Sequence, residues 1–244
     1  MTLGRIACNL HAAVKLAIAM SPKKRKNTRL AAPFFLSTRD CPKGQINNTM
    51  IRLVTALCKS FLKELTERMI FQKATDEFSC LGKRCPKCGA KGKLSPHGEY
   101  GRGLTTYEDN KIVDYMLRPL RACCSSCGST HALLPDIIVP YSTFSLMFML
   151  AALAAYYERK TTVAEICNQF GIAVSTIYVW KARIALHKDL MLGALISQRQ
   201  RAHSYVLGLL ESDDLSGILR RFFRKYGFSF MQGRSIQASQ SRPP

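Results

Sequence analysis

A chain of 244 residues with 47% apolar content has material for one or two compact domains plus tails, so it is neither a peptide nor a wholly disordered protein. Its 36 lysines and arginines stand against 16 acids, a formal charge of +20 that favours a polyanionic partner, nucleic acid first and an anionic membrane surface second. Ten cysteines in paired, metal-type spacing suit a reducing cytoplasm and argue against a secreted disulfide framework.

Residues 1–49 hold nine basic groups and one acid and read as a disordered basic segment, either a phosphate-contacting arm or a solvated tail. An apolar run from Ala12 to Met20 is interrupted by Lys15 and followed at once by Lys23, Lys24, Arg25 and Lys26, which is wrong for an export signal. Pro22 to Lys26 has the form of a nuclear localisation run, a pattern common by chance, and the Asn47-Asn48-Thr49 sequon is without meaning in an unsecreted chain. Met50, where ordered-looking sequence begins, is an alternative start of translation.

Residues 50–79 form the next unit. Ile51, Val54, Leu57, Phe61, Leu65 and Met69 recur at steps of three and four, predicting an amphipathic helix from Met50 to about Ala74. Its apolar stripe packs on the rest of the chain or serves self-association.

Residues 80–140 carry the most specific signal. Cys85-Pro-Lys-Cys88-Gly89 and Cys124-Ser-Ser-Cys127-Gly128 are two C-x-x-C-G knuckles, each holding two thiolates at a spacing suited to one tetrahedral ion. Together they predict a closed four-sulfur zinc ribbon, structural because no coordination position is left for water or substrate. Iron–sulfur ligation by the same thiolates is the alternative metal chemistry, and a thioredoxin-like pair fits poorly because there are two knuckles followed by strand-compatible sequence. Cys123 leaves the register of the second pair open. Only Cys124 repeats the C-x-x-C-G form, so Cys123 is read as a small buried hydrophobe, and His97 and His131 as ordinary strand or loop residues. Strands are expected over Lys91 to Arg102 and Ile112 to Cys123, joined through the turn cluster Glu108-Asp109-Asn110, with Pro119 forcing an edge or bulge. Pro135 and Pro140 bracket a short linker.

Residues 141–190 read as helical. A helix from Ser142 to about Tyr157 is apolar nearly all round, too short for a membrane span, and so a buried bundle helix. Thr162 and Glu165 then make a capping box, Val163, Ile166 and Phe170 turn inward, Gly171 ends the helix, and a second helix follows from Val174 with Ile177, Trp180 and Ile184 buried. This is the order of a helix-turn-helix, whose second helix enters the major groove. Its outward residues are then Ser175 and Thr176, placed for base edges, Val179 for a thymine methyl, Tyr178 on one flank, and Lys181, Arg183 and Lys188 for phosphates.

In residues 191–244, eight basic groups face three acids. A helix from Leu215 to Tyr226 is expected, capped by Ser212, with Arg220, Arg221, Arg224 and Lys225 on one face and Phe222, Phe223, Phe228 and Phe230 in a core or dimer contact; Gly233 to Pro244 read as a disordered tail.

The C-P-x-C-G knuckle, His97-Gly98-x-Tyr100-x-Arg102, Arg121-x-x-Cys124-x-x-Cys127-Gly128, Thr130-His131-Ala132-Leu133-Leu134-Pro135 and the helix-turn-helix, in that order, resemble an uncharacterised group of bacterial proteins. That group is similar to the N-terminal DNA-binding regions of insertion-sequence transposases. The resemblance implies a DNA-binding protein of mobile-element type, cytoplasmic and nucleoid-associated, with duplex DNA as partner. Ala173 stands where a capping Ser is common in such motifs, and Val179 where a basic residue is common. An acidic triad on a large catalytic sheet does not fit into the 58 residues after Leu186, and no nucleophile and base pair, phosphate loop or open metal site stands out, so a non-enzyme is expected. The expected fold is α+β, mostly α: a small β zinc ribbon followed by a helix-turn-helix bundle. An accessory or truncated transposase lacking its catalytic domain is the first functional alternative, and a zinc-ribbon module binding protein or RNA is the second, with self-association through the 50–74 helix or the C-terminal helix.

Overall fold

The computed structural model describes residues 50–53 and 65–233. In chain order its elements are β1 (Met50–Leu53), α1 (Glu67–Asp76), β2 (Leu94–Glu99), β3 (Arg102–Glu108), β4 (Lys111–Leu117), β5 (Leu120–Cys124), β6 (Thr130–Pro135), α2 (Leu146–Glu158), α3 (Val163–Phe170), α4 (Val174–Leu192), α5 (Ala194–Arg199), α6 (Ala202–Leu210) and α7 (Leu215–Tyr226). The fold is α+β, with helix predominating over strand among the described residues. The basic 1–49 segment and the 234–244 tail lie outside the described residues, as do Val54, Leu57 and Phe61 of the expected first helix.

Two sheets form where one ribbon is expected. The larger has the order β1-β6-β5-β2, with β1 parallel to β6 and the other pairs antiparallel; β3 and β4 form a separate hairpin. Each of the two long strands expected from the sequence is broken in two. Pro119 has no N–H to give a ladder and ends β4, while its carbonyl accepts from the Tyr100 N–H at 3.2 Å across the same break. At the hairpin tip Glu108 pairs with Lys111, leaving Asp109 and Asn110 as a two-residue loop. Both take positive φ (47° and 60°), the conformation of a type I′ turn, whose twist suits a tight hairpin.

The helix expected from Met50 is a correction. Met50 to Leu53 form a strand that pairs with β6 in the register Met50↔Ala132 to Leu53↔Pro135, and a helix occupies Glu67–Asp76. Its buried face is Glu67, Ile70, Phe71 and Ala74, whereas Met69, expected inward, is exposed. Thr66 caps it, accepting from the Met69 N–H.

The segment between Pro135 and Pro140 is not a linker. Ile137, Ile138 and Val139 are at most 1% exposed and belong to the same apolar cluster as Leu104 of β3, Leu117 of β4 and helices α2, α3, α4, α6 and α7. Three consecutive large aliphatics have more to gain from burial than a surface connection allows. Backbone bonds fix the join: Thr105 N–H donates to Thr143 O (2.7 Å), Ser145 N–H to Thr105 O (3.0 Å) and Leu146 N–H to Ile137 O (2.9 Å). Arg102 adds two bonds from Nη2, to Val139 O at 2.7 Å and Ser142 O at 2.6 Å. The hairpin and the end of β6 therefore share the core of the helices, and the boundary drawn between residues 140 and 141 runs through continuous packing.

Helix α2 is buried on most of its circumference, as its sequence implies, and packs on α6. An aromatic cluster joins it to its neighbours: Phe148 lies 5.5 Å from Phe170 and 6.1 Å from Trp180, Phe144 lies 5.1 Å from Trp180, and Tyr107 of the hairpin lies 4.9 Å from Phe170. Among the described residues no helix is long and apolar enough to cross a membrane. Helix α7 spans the expected range, but its cap is Asp214, which accepts from the Gly217 N–H, rather than Ser212, which lies two residues earlier and whose Oγ accepts from the Asp214 N–H. Leu215, Leu219, Phe222, Phe228 and Phe230 are buried within the chain, so the apolar face of this helix is satisfied intramolecularly; Phe223 is only half-buried.

Candidate metal centre and helix-turn-helix

Two turns bring four sulfurs together. In the first, Cys85 N–H donates to Ala90 O (2.9 Å) and Gly89 N–H to Cys85 O (2.9 Å); in the second, Cys124 N–H donates to Ser129 O (3.0 Å) and Gly128 N–H to Cys124 O (2.8 Å). Gly89 and Gly128 have φ of 74° and 66°, which is why glycine follows each pair. The second knuckle is the connection between β5 and β6, and the first leads into β2, which pairs with β5 in the register Leu94↔Cys124.

Ligand atoms of Cys85, Cys88, Cys124 and Cys127 all lie within 4.8 Å of one another. Cys85 Sγ to Cys127 Sγ and Cys88 Sγ to Cys124 Sγ are each 3.7 Å. A tetrahedron with metal–sulfur bonds of ~2.3 Å has edges of about 3.8 Å, so the spacing fits one Zn²⁺. Burial pushes the Cys85 thiol up to about 11 in the free site, while hydrogen bonds to Ser129 bring Cys127 down to about 6. A bound divalent ion deprotonates its thiols outright, so this asymmetry belongs to the metal-free chain. Of the adjacent pair it is Cys124 that joins the cluster; Cys123, expected as a plain buried hydrophobe, is disulfide-bonded and takes no part in it.

His131 is the residue that sequence reasoning passed over. It is 0% exposed on β6, opposite Ala122 of β5, and its Nε2 lies 3.2 Å from Cys85 Sγ. An N–H donated from that nitrogen would rest on a ligand thiolate and stabilise its charge. The signal available in the sequence was a histidine three residues past the second knuckle's glycine, on a strand that must return beside the metal.

The expected helix, glycine turn and second helix are present. Thr162 Oγ1 accepts from Glu165 N–H (3.2 Å), and the Glu165 carboxylate accepts from Thr162 N–H (2.8 Å), closing the capping box. Gly171 is left-handed (φ 59°), and its turn abuts Ile112 of the hairpin. Ile166, Phe170, Ile172, Ile177, Trp180 and Ile184 are all buried.

The seven residues expected on the outer face divide into two groups. Ser175, Tyr178, Val179 and Lys181 are exposed and Thr176 is half-exposed, on the first turns of α4. Lys181 Nζ donates to Tyr156 Oη at 3.1 Å and lies over the Tyr156 and Tyr178 rings at 5.3 and 5.8 Å. Arg183 and Lys188 are turned to structural use instead. Lys188 Nζ donates to Ser197 O and Gln200 O, both at 3.0 Å, satisfying carbonyls at the end of α5. Arg183 is half-buried, and its guanidinium fills the space that any side chain at Gly233 would need. One turn along, His187 is fully buried among Phe222, Phe228 and Phe230, and its Nδ1 accepts the Met231 N–H at 2.9 Å. Burial, helped by the Arg183 charge, pulls its pKa down to about 4, so the ring is neutral and pins the C-terminal segment to α4.

The arrangement is thus an α+β unit with a four-cysteine cluster continuous with a buried-core helix-turn-helix. Residues 85–180, from the first ligand to the tryptophan of α4, match a family described as a domain of unknown function (DUF6431). No curated protein and no solved structure shows significant similarity to the chain.

Proposed function

We propose that the protein is a zinc-containing, duplex-DNA-binding protein of mobile-element type, which positions DNA rather than cutting it. The observation that carries this reading is the helix-turn-helix: a capped α3, a left-handed Gly171, and an α4 whose first turns expose Ser175, Tyr178, Val179 and Lys181 while Ile177, Trp180 and Ile184 hold it in the core. That geometry suits a major groove, where hydroxyls meet base edges and a valine meets a thymine methyl. The cysteine cluster supports it indirectly, by bracing β5 against β6, whose end runs into the core that carries α3 and α4. In this reading the protein either acts as a regulator or holds element ends for a catalytic partner.

The test is binding of the zinc-loaded chain to a pool of random duplexes at several salt concentrations, followed by selection of bound sequences. A selected site, with affinity falling steeply with salt, is the expected result. Val179→Asp, at an exposed position, should cost tenfold or more in affinity for that site and leave the unfolding midpoint unchanged. Failure to bind any duplex, or binding that ignores salt, would sink the proposal.

A further inference from the structure

The first metal knuckle carries a surface feature that metal binding does not account for. Lys83, Arg84, Lys87, Lys91 and Lys93 are all exposed, and no carboxylate occurs anywhere between residues 78 and 98. None of the five has an ion-pair partner or a side-chain hydrogen bond among the described residues. The backbone holds them close. Arg84 and Lys91 face each other across an antiparallel bridge, Gly92 N–H donates to Lys83 O at 3.0 Å, and Ser125 N–H donates to Lys93 O at 2.9 Å. Like charges placed directly opposite on paired strands destabilise the pairing. A divalent ion with four thiolates carries a formal charge of about −2, which offsets fewer than half of five cations.

We infer that this knuckle is a second DNA-contacting surface, an anion-binding turn that grips the phosphate backbone without reading sequence. The inference rests on the proposed function and extends it: α4 supplies the reading, and the knuckle supplies affinity at a separate place on the duplex. The partner is duplex DNA because its phosphate density can neutralise several closely spaced cations at once. Lysines and an arginine on short turns suit phosphates, which position a protein and carry no base information.

The experiment compares the full zinc-loaded chain with the variant Lys83→Gln, Arg84→Gln, Lys91→Gln and Lys93→Gln, in which every ligand is retained. Each lost phosphate contact lowers the slope of log K against log salt by about 0.9, so loss of two to four contacts lowers it by about 1.8 to 3.6, with the preference among duplex sequences unchanged. An unchanged slope in a variant that holds one metal ion per chain overturns the inference while leaving the proposed function standing. Loss of all duplex binding by the unsubstituted chain overturns both. A second readout needs no variant: acylation of Lys87, Lys91 and Lys93 in the natural chain should slow severalfold when a duplex is added. Reactivity that stays the same with DNA bound, or that slows only with an acidic peptide, overturns the inference as well.

Discussion

Replacing Glu67 by glutamine should make the protein more stable, by an amount that depends on pH. The Glu67 carboxyl is 4% exposed; its Oε1 accepts from Ser145 Oγ at 2.7 Å, and its Oε2 is buried with no partner among the described residues. Burial, opposed by the Ser145 bond and reinforced by the charge of Glu108, pushes its pKa from 4.5 to about 8. The folded chain therefore keeps a proton that the unfolded chain releases, and stability falls as pH rises from the lower value to the higher. At about 1.4 kcal/mol per unit the loss is about 3 kcal/mol at pH 7 and levels off near ~5 kcal/mol above pH 8. Glutamine keeps the acceptor for Ser145 and ionises in neither state. An amide N–H₂ left without a partner would add a constant cost and would not alter the slope with pH. Urea unfolding of both zinc-loaded chains at pH 5, 7 and 9 cancels every titration they share. The difference should grow in the variant's favour by about 3 kcal/mol or more from pH 5 to 9. Parallel pH profiles would refute the reasoning.

Any one of Cys85→Ser, Cys88→Ser, Cys124→Ser or Cys127→Ser should abolish stoichiometric metal, measured by elemental mass spectrometry, and chelation of the natural chain should lower its melting temperature. His131→Leu should retain one ion per chain but weaken affinity by about 10- to 100-fold in a competitive chelator titration, because Cys85 loses its neighbouring donor. Trp180→Ala, which empties the meeting point of α2 and α4, should cost about 3 to 5 kcal/mol in urea unfolding. Gly171→Ala should cost about 1 to 2 kcal/mol from the left-handed backbone alone, since the added methyl meets only Ile112 at ordinary contact distance.

What could be read from the residues was what is local. The doubled C-x-x-C-G spacing, the Thr162 and Glu165 capping box and the glycine at 171 each impose a conformation within a few positions, and each appears as expected. Misreadings arose where distant partners decide. Met50 to Leu53 fit a helical period as well as a strand's over four residues, and only the availability of β6 as a neighbour settles the choice. Ile137 to Val139 lie between prolines, a linker by punctuation, yet the hairpin and α2 enclose them. Arg183 and Lys188 lie on the polar side of α4 by periodicity, but Gly233 and the end of α5 approach from far along the chain and claim them. Glu67 carries no local sign of its protonation, since Ser145 is 78 residues away.

The placement of Lys188 and His187 gives α4 a split character. At 1.5 Å per residue its 19 residues span about 28 Å. Only the leading part presents exposed side chains free of contacts from later in the chain; the trailing part is the mast to which α5 and the 228–232 segment are lashed. Trimming the chain shortly after α7 would remove no atom from the leading turns, yet it would uncover the phenylalanine cage around His187 and let the mast sway. Lesions near the carboxyl end of the chain should therefore loosen the leading turns of α4 from a distance, and with them the DNA reading proposed for those turns.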